Sequence, residues 1–339
     1  MLTQPVFSPP DAIATMARQA GIAANDASYH HYPQGRMPFH MIHVAHSASL
    51  TGIIGTDVRI KVTDVGANPI DDLPPYKSLL AAGLAEVVGF EPSPAALATL
   101  NQHKGPHEHY LPHAVGDGQR HTLRYCQAPG MTSLLAPNPD VLNLFHGFPD
   151  WGKVVAEEEV ATVRLDDVAE TVGTDLLKMD IQGASLMALE HARARLADVL
   201  VVHTEVEFLP MYKDQPLFAE VDRLLRQHGF MVHRFYPDTV SRTVQPLLVN
   251  NSPYTGFSQL FWADAIFIRD ITRLDLLSDR QLLAMALILH DCYQSLDVVL
   301  HLLLEHDRRH NTAHAARYLT HIQVQPAEGQ SNPPSPAVG

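Results

Sequence analysis

The sequence predicts an α/β protein built on an open, mostly parallel sheet, and three observations carry that expectation. Short β-branched runs alternate with segments of helical periodicity from Val58 onward. Acidic residues stand at or just after the ends of successive expected strands, at Asp64, Glu91, Asp117, Asp180 and Glu205. A hydrophobic share of 46% in 339 residues is enough to enclose a full core, as one large domain or two ordinary ones.

Residues 1–57 join an expected helix at 11–19, after Pro9 and Pro10, to a Pro-, His- and Gly-rich stretch, and read as an extension covering the main domain. That domain is expected to span 58–270. Residues 58–65 form its first strand, and 74–82 a helix capped by Asp71 or Asp72. "AEVVGFEP" is the second strand, and "SPAALATLNQH" a helix with Ser93 as N-cap and Pro94 in its first turn. "HYLPHAVGDG" and "HTLRYC" read as strand, turn and strand. Residues 128–159 hold Pro129, Pro137, Pro139 and Pro149 and are expected to form an active-site loop or cover.

"EVATVRLDDV" is extended, and "DLLKMDI" is a buried strand that runs through Gly183 into a single helix, "ASLMALEHARARL". "DVLVVHTEV" is the next strand and "LFAEVDRLLRQHG" an amphipathic helix closed by Gly229. "FMVHRFY" and "LFWADAIFIRD" have no helix between them, so an antiparallel pair at the sheet edge is expected. Residues 271–322 contain three helical segments whose Leu/Ala faces suit packing on the domain or on a second copy, so a homodimer through them is an expectation. The tail, 323–339, has nothing to bury and is expected to be disordered.

The formal charge of −13, from 24 basic and 37 acidic side chains, disfavours nucleic acid or an anionic membrane as the main partner. Cys126 and Cys292 form no CxxC or zinc spacing, which fits a reducing cytoplasm. The longest apolar run, 282–289, falls well short of the ~20 residues that cross a bilayer, so no membrane insertion is expected. Histidines at 40, 43 and 46 and at 103, 107, 109 and 113 lack the glutamate and helical context of a known metal motif, and no metal site is assigned from them.

In an open parallel sheet, ligands lie beyond the carboxyl ends of the strands, where these acids should converge. The turn "DVGANP" has Gly66 alone in place of G-x-G-x-x-G, and Pro69 removes an N–H where a pyrophosphate would want one, which disfavours a nicotinamide cofactor. A phosphate-free, positively charged donor such as S-adenosylmethionine (SAM) suits a close-approach glycine flanked by carboxylates. Glu91 is placed to accept hydrogen bonds from both ribose hydroxyls.

"TDVGANPIDD", "VVGFEPSPAALATL", "HAVGDG", "TVRLDDV", "LLKMDIQGASLMALEHA" and "VVHTEVEFLPMY" together resemble the successive motifs of the FkbM family of SAM-dependent methyltransferases, over about 58–270. The resemblance implies a Rossmann-like class I methyltransferase fold, with a seven-stranded, mostly parallel sheet. It also implies O-methylation of a small molecule or sugar bearing a hydroxyl. By motif match, Asp64, Gly66 and Asn68 would surround the methionine part of SAM, Glu91 the ribose, and Asp117 the adenine; Ser133 would close over the cofactor and Asp180 would face the methyl. The chain departs from the family's pattern in having Pro69-Ile70-Asp71-Asp72 where another glycine usually follows.

Activating a hydroxyl needs a base within hydrogen-bond reach, and His203, Asp180 and Glu205 are the candidates, with His203 or Asp180 preferred and Glu205 and Glu207 orienting the acceptor. Residues two apart on a strand share a face, so His203, Glu205 and Glu207 point together; Lys178 shares a face with Asp180 and can pair with it. A divalent ion on Asp180 and Glu205 is a secondary reading. A silent methyltransferase-like scaffold that binds a partner protein is the alternative to catalysis.

Overall fold

The computed structural model describes residues 49–55, 58–67 and 73–322. The expected helix at 11–19, the histidines at 40, 43 and 46, Asn68, Pro69, the capping Asp71 and Asp72, and the tail lie outside the described residues. The chain divides into two compact units, Asp57–His306 and Met1–Thr56 with Asp307–Gly339. In the second, the short helix α1 (Leu50–Ile54) packs against the helix His314–His321.

The larger unit is built on a seven-stranded sheet. Its strands, labelled in chain order with those of a smaller sheet, are β1 (Ile60–Val65), β2 (Ala85–Phe90), β3 (Glu108–Leu111), β7 (Leu176–Met179), β8 (Val201–Glu207), β9 (Phe230–Arg242) and β10 (Gln259–Arg269). The order is β3-β2-β1-β7-β8-β10-β9, and β10 alone runs antiparallel to its neighbours. This is the class I methyltransferase sheet that the resemblance implies, with the antiparallel pair at the expected edge. β1 and β8 are central and buried on both faces, so the polar side chains they carry, Thr63, Asp64, His203, Thr204 and Glu207, are buried with them.

The smaller sheet, β4-β6-β5, takes β4 (Ala114–Val115), β5 (Arg120–Cys126) and β6 (Val154–Val163). "HTLRYC" therefore leaves the main sheet. The proline-rich cover carries two single-turn helices, α4 (Pro139–Leu142) and α5 (Phe148–Trp151), and β6 begins inside its last residues.

Around the main sheet lie α2 (Lys77–Ala81), α3 (Pro94–His103), α6 (Ser185–Glu190), α7 (Arg193–Asp198) and α8 (Phe218–Gln227). Ser93 Oγ caps α3 by accepting from Ala96 N, with Pro94 in the first turn, as expected. The single helix expected over "ASLMALEHARARL" is two. Asp166, from the loop after β6, accepts from the amides of Ala194 and Arg195 at 3.0 Å each. That distant carboxylate starts a fresh helix at Arg193, a capping partner that no local sequence pattern announces.

Helices α9 (Asp279–Asp291), α10 (Leu296–His310) and α11 (His314–His321) follow. α9 starts from a Ser278/Gln281 capping box and buries every residue from Leu282 to Leu289. Arg280 ties it to the sheet, donating to both oxygens of the buried Asp175 at 2.6 and 2.8 Å. Arg280→Ala should cost about 1–3 kcal/mol, and Arg280→Lys, which has no planar fork, should recover only part of it. Urea unfolding checks both. No helix among the described residues is long and apolar enough to cross a membrane.

Candidate active site

The first part of the site is the turn after β1. Gly66 has φ +81°, and a Cβ there would lie 2.1 Å from the main-chain oxygen of Asp180. Gly66 N and Ala67 N both donate to Phe90 O, at 3.1 and 3.0 Å, while Asp180 N donates to Val65 O at 2.9 Å. The ends of β1, β2 and β7 are thus pinned together with no room for a side chain between them. Asp64 is buried; it accepts from Tyr76 Oη at 2.5 Å and from Lys178 Nζ at 3.2 Å. Lys178 therefore pairs with Asp64. Burial works against the lysine's charge, but the carboxylates of Asp64 and Asp180 outweigh it and hold the ammonium above its usual range.

Glu91 follows Phe90 directly, so it stands beside this turn. It is buried, and its Oε1 accepts from Ser93 N at 2.7 Å. Burial raises its carboxyl against the opposing effect of that bond. Asp117 sits in the turn after β4 and accepts from Gln119 N and His121 Nε2, each at 2.8 Å. Burial would raise it, yet the hydrogen bonds, His121 foremost, hold it below the ordinary carboxylate value. Ser133 is buried; its Oγ donates to Gln182 O at 2.6 Å, which latches the cover to the loop after Asp180.

The second part is a row of acids on one face of the sheet. Asp64 lies beside Lys178, Lys178 beside His203, and Glu205 directly opposite Asp264 of β10. Alternation puts His203, Glu205 and Glu207 on this face, while Val202 and Val206 enter the apolar core with Val65 and Met179. Asp180, two residues after Lys178, reaches solvent but is crowded by protein, as befits the floor of an open cleft. Desolvation, with help from Asp264 and Asp64, raises its carboxyl despite Lys178 and a 2.9 Å bond from Gln182 Nε2.

Glu205 is raised further, first by burial and then by Asp180, Glu207 and Asp264. Glu207 is pushed up to about 8 by burial and Asp180. The Oε1 atoms of both glutamates are buried with no hydrogen-bond partner. His203 is buried between Tyr293 Oη, 3.1 Å from Nδ1, and Asp264 Oδ2, 3.7 Å from Nε2.

The structure thus brings Asp64, Gly66, Ser133, Asp180, His203 and Glu205 into one connected region, with Glu91 at its edge. Asp117 is held by its own turn, and Asn68 lies outside the described residues. Asp264 escaped the sequence reading. An acid alternating with Trp262 and Ile266 in "FWADAIFI" was the signal for it. Tyr76, directly before α2, and Tyr293, ninety residues beyond His203, bond Asp64 and His203 and left no signal.

Above the acids lies an aromatic cluster that includes Phe145, Phe148, Tyr212 and Phe261, with Trp262 against it and opposite Glu207. Tyr212 is fully buried and donates to Met131 O at 3.2 Å, so it packs the cover in place, whereas the exposed Tyr254 stacks on Trp151 with ring centroids 5.2 Å apart. A separate cavity of about 420 Å³, lined by Arg124, Pro137, Asn143 and Lys153 among others, is bordered by none of the acids on the sheet face.

The sequence model of the methyltransferase FkbM domain matches residues 64–232, from the acid of the first turn into β9. The chain carries a methyltransferase FkbM domain. No curated protein matches it. Among solved structures it resembles a precorrin-6Y C5,15-methyltransferase from Geobacter metallireducens at 12% identity, covering 65% of this chain and 85% of that one with a TM-score of 0.31. A putative methyltransferase from Thermoplasma acidophilum is 11% identical over 63% of this chain and 69% of that one, TM-score 0.31. The N-terminal domain of EvdMO1 with SAH bound is 8% identical over 65% and 77%, TM-score 0.30. None of these carries residue roles to the FkbM domain. Asp64, Gly66, Glu91, Asp117, Asp180, His203 and Glu205 all fall within the matched span.

Proposed function

We propose that this protein is a SAM-dependent methyltransferase that methylates a hydroxyl of a small molecule or sugar, with Asp180 as the general base. The observation that carries the reading is the Gly66 turn packed against Asp180, with Glu91 beside it and a rim of carboxylates beyond. SAM supplies a sulfonium-bound methyl group, which passes to the acceptor oxygen as the carbon–sulfur bond breaks. The donor set fits such a cation: Gly66 allows close approach, Glu91 is poised for the ribose, and Ser133 fastens the cover beside the cleft. Asp64, already engaged by Tyr76 and Lys178, acts by holding the turn.

Asp180 is preferred as base over His203 because it opens to solvent at the strand end, where an acceptor can reach it. Its raised pKa brings it nearer to the range in which a carboxylate accepts a proton efficiently. His203 lies beneath, with Tyr293 and Asp264 at its two nitrogens, and orients that pair. Lys178, charged and anchored on Asp64, limits how far the Asp180 carboxyl rises.

Calorimetry should show SAM binding and no NAD binding. Asp180→Asn should keep SAM affinity within about threefold and lower turnover by roughly 10²–10⁴-fold, the usual contribution of a general base. Turnover is measured by mass spectrometry of extracts for products gaining one methyl group. A protein that fails to bind SAM would instead be a silent scaffold, and unchanged turnover in Asp180→Asn would remove that residue as base. Activity that survives chelation excludes an essential divalent ion.

A further inference from the structure

The acid row holds more carboxyl groups than methyl transfer to a neutral alcohol requires. Asp64 and Lys178 neutralise each other at 3.2 Å, which leaves Asp180, Glu205, Glu207 and Asp264 with His203, 3.7 Å from Asp264, while Arg242 places its guanidinium over the Trp262 ring and on the main-chain oxygens of Ser241 and Tyr254. Glu205 and Asp264 stand directly opposite on adjacent strands, an arrangement that destabilises a sheet once both carboxyls are ionised. Glu207 is only 4% exposed, yet its Oε1 has no partner, and the same holds for Oε1 of Glu205. Gln215, whose amide oxygen accepts from Tyr212 N, can aim its unpartnered Nε2 at Glu207 by a small rotation, which still leaves Glu205 Oε1 unmatched. Buried, unpaired carboxyl oxygens beside an open acid and an aromatic wall mark a place where a positively charged group belongs.

Resting on the methyltransferase reading above, we propose that the acceptor carries a cationic nitrogen, an ammonium or guanidinium, seated among Glu205, Glu207 and Asp264 so that its hydroxyl lies at Asp180. An amino sugar or an amino alcohol is the substrate class. An organic cation is favoured over a metal ion because no three of Asp64, Asp180, Glu205, Glu207 and Asp264 bring ligand atoms within 4.8 Å of one another. Trp262, opposite Glu207 and against the Phe148–Phe261 cluster, already holds the Arg242 guanidinium 4.5 Å from its ring centroid and so forms an apolar wall beside Glu207 for the acceptor's carbon frame. A cation there draws protons off the raised carboxyls, so binding is expected to release protons to the buffer.

The full chain is titrated by calorimetry with glucosamine and benzylamine, with their neutral counterparts N-acetylglucosamine and benzyl alcohol, and with magnesium chloride alone. Each titration is run with and without S-adenosylhomocysteine, whose own binding is recorded on the same preparation. The expected result is that at least one amine binds tenfold or more tightly than its neutral counterpart and releases protons in buffers of differing ionisation enthalpy. Glu207→Gln and the double variant with Glu205→Gln should abolish that preference while S-adenosylhomocysteine still binds. Equal binding of amine and neutral compound, no binding of either amine, or magnesium binding that is lost in Glu207→Gln would each overturn the proposal. Failure of S-adenosylhomocysteine to bind would strike the methyltransferase reading separately, because the amine preference is also read without it.

Discussion

Gly66→Ala is expected to lose SAM binding by 100-fold or more and to lower the unfolding temperature measurably. Two costs combine. The backbone at φ +81° is left-handed, which costs a residue with a Cβ roughly 1–2 kcal/mol. The larger cost is steric, because the new Cβ would meet the main-chain oxygen of Asp180 at 2.1 Å. No rotamer relieves a contact with a peptide carbonyl, and the neighbouring Asp180 N–H is already fixed to Val65 O. Either the turn moves away from β7 or Asp180 moves out of the cleft, and both changes damage the proposed donor berth and the proposed base together. Gly83→Ala is the control, since its φ is +69° but nothing lies within 4 Å of the added carbon. It should show the conformational cost alone and bind SAM normally. Calorimetry and thermal unfolding of the two variants separate these effects, and unchanged SAM affinity in Gly66→Ala would mean that the donor sits elsewhere.

The sequence made this turn legible because a glycine closing a β-branched strand marks a tight turn at the carboxyl edge of the sheet, where ligands of such folds lie. The strand-end acids were legible for the same reason: Asp64, Asp180 and Glu205 interrupt apolar runs where a buried charge is costly without purpose. The seven strands of the main sheet could be recognised from local patterns. What could not be read was anything set by a partner far along the chain. Asp166 splits one helix into two, Tyr293 occupies His203, and β5 leaves the main sheet to pair with β6. The identity of Lys178's partner belongs to the same class, since face-sharing along β7 favoured Asp180 while the register across to β1 gave Asp64.

The acid row should also make the protein less stable as pH rises. The unfolded chain releases the Glu207 proton near its usual value of 4.5, whereas the folded protein keeps it until about 8. Between those limits the folded state binds more protons than the unfolded state, so stability falls with increasing pH. The contribution is present in full below about pH 4.5 and gone above about pH 8. Its size is on the order of 5 kcal/mol, since each pH unit between the two values is worth about 1.4 kcal/mol. Glu205 moves in the same direction under the influence of burial, Asp180, Glu207 and Asp264, and adds to the slope. Glutamine at both positions keeps shape and polarity but has no proton to lose. The double variant Glu205→Gln, Glu207→Gln should therefore show a flatter profile of unfolding temperature between pH 5 and 8 and be more stable than the wild type at pH 8. Equal slopes would show that these carboxyls find full compensation within the fold. A bound organic cation should flatten the wild-type profile in the same way, because it supplies the charge that the fold withholds; the row is then a store of electrostatic strain that the right acceptor releases.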